Sequence, residues 1–281
     1  MDWNVVSSVS SAAATVLALG GLALSVALYL RQQNEARAAE IRQDVRGFVD
    51  AAHHLIRLLL DGSPMIAASW QSASLLRASL PDGATVRDAR ALARTQGMGL
   101  SLAVVGWGES DQARALEEAT ARMATASRRL SGELAVLGES GELLRLIAQD
   151  LTATSIRLLD GDMLTMVLDA AGQQATDDED LPRFIASFAS VLHGNAAGYF
   201  QARYADSVQA LSSLVALVGV AVAQLPARDL LAITRPGTPD GGTRTATMRA
   251  ALGRMGRRLP ATTVAEAGRL IDTVESTISP R

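Results

Sequence analysis

The sequence predicts an all-α protein: an N-terminal transmembrane helix continuing into a cytoplasmic multi-helix bundle. Three observations carry this. Val5 to Leu30 holds no charged residue and ends at Arg31. Apolar residues in the remainder recur at helical spacing, and Val/Ile clusters with period-two alternation are scarce. Aromatic residues make up only 4% of the chain.

The 26 residues from Val5 to Leu30, at ~1.5 Å rise each, are long enough for a hydrocarbon layer ~30 Å thick. Residues 1–30 are accordingly expected to be an anchor with a short external N-terminus. A cleaved signal peptide is disfavoured, because Met1-Asp2-Trp3-Asn4 brings an acid and no base. The apolar run also exceeds the ~7–15 residues of a signal core. Arg31, Arg37, Arg42 and Arg46 follow the segment and no base precedes it. Positive charge on that side places residues 31–281 in the cytoplasm. Trp3 and Tyr29 mark the two ends, where amphipathic rings settle at headgroup level, and Arg31 closes the segment. Ala14, Gly20, Gly21 and Ser25 give a small-residue face through which a second copy could pack, the basis for expecting a homo-oligomer through this helix.

Composition narrows the rest. The net charge is −3, so no whole-chain field recruits nucleic acid. Cysteine is absent, which excludes disulfides and thiolate metal sites and fits a reducing compartment. All 26 basic residues are arginine, a bias read as that of a high-GC bacterial genome, so the expected location is a bacterial cytoplasmic membrane.

Residues 31–233 are expected to form the bundle. Ile41, Val45, Phe48, Ala52, Leu55 and Leu59 recur at spacings of 4, 3, 4, 3 and 4 and define one seam. Asp61-Gly62 stops that helix. Ser63-Pro64 starts the next, with Ile66, Trp70, Ala73, Leu76 and Leu80 on its inner face. Pro81-Asp82-Gly83 is a turn, and Thr85 to Asp88 can cap a third helix. That helix continues toward Val105 through the glycines Gly97 and Gly99, and Gly106-Trp107-Gly108 breaks the chain. Leu116, Met123, Leu130, Leu134 and Leu137 mark another helix, with a turn at Gly138 to Gly141. Leu144, Ile147, Leu151 and Leu158 follow, then a break at Asp160-Gly161-Asp162.

The acids of Thr176 to Asp180 lack the alternating spacing of a calcium loop and fit the N-terminus of a helix. That helix carries Phe184, Phe188, Tyr199, Phe200 and Tyr204, half of the aromatic residues, expected to be the packing centre. Ser207 to Ala227 is uncharged over 21 residues. Crossing a membrane there would send Arg244, Arg249, Arg254, Arg257 and Arg258 outside, so a buried core helix is expected. Residues 234–243, with two prolines and three glycines, form a linker to the tail, 244–281. The tail begins with a basic amphipathic helix: Met248, Leu252, Met255 and Leu259 share one side, and the five arginines spread over the other. Such a helix either lies on anionic lipid or docks on the bundle. Thr263 and Glu266 fit a capping box for a last helix, with Ala267, Leu270, Ile271, Val274 and Ile278 inward.

No catalytic, cofactor or metal residue is predicted. His53 and His54 fall on the outer side of the first seam, and no Glu-x-x-His occurs, so a di-iron site is not supported. There is no Walker A sequence, and Gly138-Glu-Ser-Gly141 is one residue short of a nucleophile elbow. The expected function is a non-enzymatic interaction or scaffold module at the inner face of the membrane, with lipid and an unidentified protein as partners. The competing expectation is an oligomeric channel-forming subunit in which residues 207–227 insert as well.

Overall fold

The computed structural model describes residues 3–61, 63–95, 111–130, 132–157, 161–174, 180–234 and 242–278. Among them are eleven α-helices and no strand. The all-α expectation therefore holds. The helices are α1 (Trp3–Leu60), α2 (Ser63–Ala78), α3 (Val86–Thr95), α4 (Asp111–Arg129), α5 (Ala135–Arg157) and α6 (Gly161–Gln174). They continue with α7 (Leu181–Arg203), α8 (Ala205–Ala223), α9 (Ala227–Ile233), α10 (Arg244–Met255) and α11 (Ala261–Ile278).

Helix α1 runs 58 residues without a break, about 87 Å at the standard rise. Residues 20–37 are exposed throughout. Burial begins at Ala38 and follows the predicted seam: Val45, Phe48, Ala52, Leu55 and Leu59 are all in the core, with Ile41 packed at its edge. Around this distal half pack α4, α8 and α9. Arg42 fixes the last of these joints, its Nη2 donating to the Leu225 carbonyl at 3.0 Å, between α8 and α9.

The apolar side chains form two clusters. The larger joins α1, α4, α5, the end of α7, and α8 through α11. The smaller joins α2, α3, α6 and the first half of α7. Helix α7 belongs to both: Phe184 and Phe188 lie in the small cluster, while Phe200 lies in the large one, as does Tyr204 just past the end of the helix. The aromatic residues are therefore not one packing centre. At 23 residues, about 34 Å, α7 is long enough to tie two cores together.

Helix α8 is the element among the described residues that is long and apolar enough to cross a membrane, and half of that window is buried inside the bundle. The α1 segment does not stand out by the same measure; its side chains before Gly20 lie outside the described ones. Val208, Leu211, Leu214, Val215, Val218 and Val222 of α8 are fully enclosed, and α11 and α1 pack along it. Gly219 permits the approach of α1, since a Cβ there would stand 2.7 Å from Val49 Cγ2. The expected core helix is what the structure contains.

Three local expectations are corrected. Gly138 to Gly141 is not a turn: α5 passes straight through it, and a 3-10 turn at Gly132–Leu134 precedes it. The glycines instead let α4 and α1 come close. A Cβ on Gly141 would meet Ser127 Oγ, stand 2.8 Å from Phe48 Cε2 and 2.9 Å from Met123 Cε, and one on Gly138 would stand 3.2 Å from the Ser127 carbonyl oxygen. Trp70 is 51% exposed, and the inner face of α2 is set by Ser69, Ser72, Ala73 and Leu76; Ile66 lies outside the described side chains. The Thr263–Glu266 capping box does not form, because α11 already starts at Ala261 after Pro260 and Glu266 pairs with Arg269.

Other starts are as expected. Thr85 and Asp88 form a reciprocal cap, Thr85 N donating to Asp88 Oδ2 at 2.8 Å and Asp88 N to Thr85 Oγ1 at 3.3 Å. The Asp88 carboxyl is held below its usual range, first by that backbone donor and then by the Thr85 hydroxyl. Asp180 caps α7 by accepting from Arg183 N, with Pro182 in the first turn. The expected helix through Gly97 to Val105, the break at 106–108, the acids before Asp180 and most of the 234–243 linker lie outside the described residues.

Candidate functional site

The feature that folding leaves without cover is the stem of α1. Leu22 is 63% exposed, Leu28 50%, and Leu24, Val26, Tyr29 and Leu30 lie in the same range. These exposed side chains run consecutively along one helix, so the apolar surface they leave open is continuous. Gly20, Gly21, Ser25, Tyr29 and Arg31 all lie on it. Trp3 and Ala14 belong to α1, but their side chains fall outside the described ones. Nothing stands within 4 Å of a Cβ built on Gly20 or Gly21. The Ser25 hydroxyl is satisfied within its own helix, donating to the Gly21 carbonyl at 2.8 Å, so this small-residue face carries no unmet polar group there.

The five arginines of the tail are spread over a docked element. Met248, Leu252, Met255 and Leu259 are buried, and α10 packs on α5 and α11. Arg244 Nη1 donates to Glu139 Oε2 at 2.6 Å and Arg258 Nη1 to Glu133 Oε2 at 3.1 Å. Arg249 reaches both Asp272, at 2.6 Å, and Glu275. These hydrogen bonds hold the Arg249 guanidinium above its usual range, Glu275 first and Asp272 second, and Arg249 in turn holds the Glu275 carboxyl low. Arg254 is partly buried and has its own partner, and Arg257 is exposed. This is the geometry of the docking alternative, with Glu139 and Glu133 of the bundle and Asp272 and Glu275 of α11 pairing three of the five arginines.

Two open grooves flank α1. One, of about 660 Å³, lies between α1 and α4 and is lined by Asp44, Asp50, His54, Arg122 and Arg129 among others. Its charges are largely spent: Arg129 pairs with Asp44 at 3.3 Å and Arg122 with Glu118 at 3.2 Å. His53 and His54 are exposed, as the seam predicts. Among the described residues no three His, Asp or Glu converge as metal ligands would. The other, of about 1310 Å³, opens where the stem enters the bundle, between α1 and α9.

One polar cluster was not foreseen. Asp150 Oδ2 on α5 accepts from Tyr204 at 2.8 Å and from Tyr199 at 3.1 Å. Arg203 Nε donates to the Tyr204 hydroxyl at 3.1 Å, and its guanidinium sits 5.6 Å from the Tyr204 ring. Burial, then donation to Asp150, pushes the Tyr204 phenol up to about 12. That shift opposes formation of the tyrosinate a base or nucleophile would need. The two hydrogen bonds tie the α7–α8 junction to α5. Comparison with protein-family models, with curated proteins and with solved structures finds no match to this chain.

Proposed function

We propose that the chain is a membrane-anchored, non-enzymatic helical scaffold, its stem inserted in the inner membrane of a bacterium and its bundle on the cytoplasmic side. The observation that carries this reading is the exposed apolar rod of α1 from Gly20 to Leu30, continuous with the helix that forms the seam of the core. A rod that rich in uncovered leucine and valine lowers its free energy by entering hydrocarbon, and a helix leaves no backbone group unsatisfied there. Arg31 and Arg37 directly behind it set the direction, with the side preceding the stem outside. Lipid is the first partner. The open face of Gly20, Gly21 and Ser25 supports a second copy as another, through close helix contact.

Alkaline carbonate extraction of cell membranes, combined with protease treatment of a C-terminal tag in right-side-out and inverted vesicles, tests the reading. Retention in the pellet, with the tag cut only in inverted vesicles, is expected. Release into the supernatant, or a tag cut from outside, overturns it.

A further inference from the structure

The cleft between α1 and α9 opens at the point where the stem changes from apolar to charged. Ala27 and Leu30 form its apolar end, followed by Arg31, Asn34 and Glu35 on α1 and faced by Arg228 and Asp229 on α9. Arg258, also in the lining, is committed to Glu133. Arg31, Arg37 and Arg228, and likewise Glu35, Glu40 and Asp229, have no ion-pair partner among the described residues. Among the described residues, three unpaired guanidinium groups and three unpaired carboxylates thus line one cleft.

Depth selects the occupant. Measured along α1 from Leu30, Arg31 stands about 1.5 Å and Glu35 about 7.5 Å further on. The headgroup layer of one leaflet is roughly 5–8 Å thick. With the stem in the bilayer, a reading on which this inference rests, Arg31, Asn34 and Glu35 lie at headgroup depth, in a cleft whose other wall is α9. We infer that this cleft holds the headgroup of a zwitterionic phospholipid bearing a primary ammonium, its phosphate between Arg31 and Arg228 and its ammonium toward Glu35 and Asp229. The acyl chains then run along Ala27 and Leu30. An anionic headgroup would leave the carboxylates facing like charge. A quaternary ammonium has no N–H to donate to them, whereas a primary ammonium has three.

The test uses the full chain in detergent with equal amounts of phosphatidylethanolamine, phosphatidylglycerol and phosphatidylcholine, retained lipid being counted by native mass spectrometry. Phosphatidylethanolamine is expected to dominate. Arg228→Gln reduces its retention about fivefold, the equivalent of about 1 kcal/mol for one arginine near a lipid surface. Glu35→Gln, on the exposed stem where the bundle is untouched, brings phosphatidylethanolamine down toward phosphatidylcholine. Arg77→Gln, an equal charge change on α2, leaves retention as it was. Preference for phosphatidylglycerol, equal retention of all three lipids, or equal losses with Arg77→Gln and Arg228→Gln overturns the inference. Carbonate extraction separates the two failures. A chain released from membranes refutes the anchor, while a chain that stays but is indifferent to headgroup refutes only this site.

Discussion

The hydroxyl of Tyr204, at the junction of α7 and α8, donates to Asp150 Oδ2 of α5 at 2.8 Å, and Tyr199 donates to the same oxygen. One carboxylate oxygen thus holds two phenols that are five residues apart in sequence. Asp150→Ala strips the partner from both and is expected to lower unfolding stability by about 1–3 kcal/mol. Urea unfolding followed by circular dichroism measures it.

The same joint gives a pH dependence at the alkaline end. The folded-state value of Tyr204, about 12, lies above the unfolded value near 10. The folded chain therefore holds its proton while the unfolded chain releases it. The stability linked to Tyr204 is complete below about pH 10 and is lost as the pH climbs toward about 12. Tyr204→Phe removes that segment of the decline, which a series of urea midpoints between those pH values would show.

Gly141 sits against Phe48 and Met123 where α5 crosses α1 and α4. Gly141→Ala overfills this crossing and is expected to destabilise by about 1–3 kcal/mol. Gly47→Ala, on the open side of α1 with nothing within 4 Å of the new carbon, is expected to stabilise by about 0.5–1 kcal/mol through helix propensity. The same substitution thus has opposite signs at two helical glycines, and thermal unfolding of the pair checks both.

The tail is held by its apolar side more than by its charges. Met248→Ala should cost about 2–5 kcal/mol, since the side chain is wholly enclosed. Arg249→Gln should cost at most about 1 kcal/mol, because its partners are half exposed. Hydrogen exchange along α10 distinguishes them, with protection collapsing in the first variant and persisting in the second.

How much of this was legible in the sequence varies from element to element. The seam of α1 could be read because large residues alternate at 3 and 4 with polar residues between them. The inward side of α10 was equally plain, with Met248, Leu252 and Met255 on one stripe. Trp70 misled because α2 is rich in alanine and serine, so a ring at the right spacing outweighed the small residues that face the core. Gly138 to Gly141 misled because glycine serves both to end a helix and to let two helices touch, and only the partner helix decides between them. Phe184, Phe188 and Phe200 share one helix, yet its length separates them into two cores. Asp150 gave no signal: its role depends on two tyrosines about fifty positions away. The grooves beside α1 were hidden for the same reason, being made by segments remote in sequence.

The unbroken course of α1 from stem to core has a mechanical consequence. Without a hinge at Arg31 to Arg37, the bundle is keyed to its post like a flag to a mast, so its bearing is fixed by the count of residues between the two. One alanine inserted after Gln33 would swing everything beyond it by about 100° and lift it about 1.5 Å. Anything that must meet both the post and the bundle would then face the wrong side.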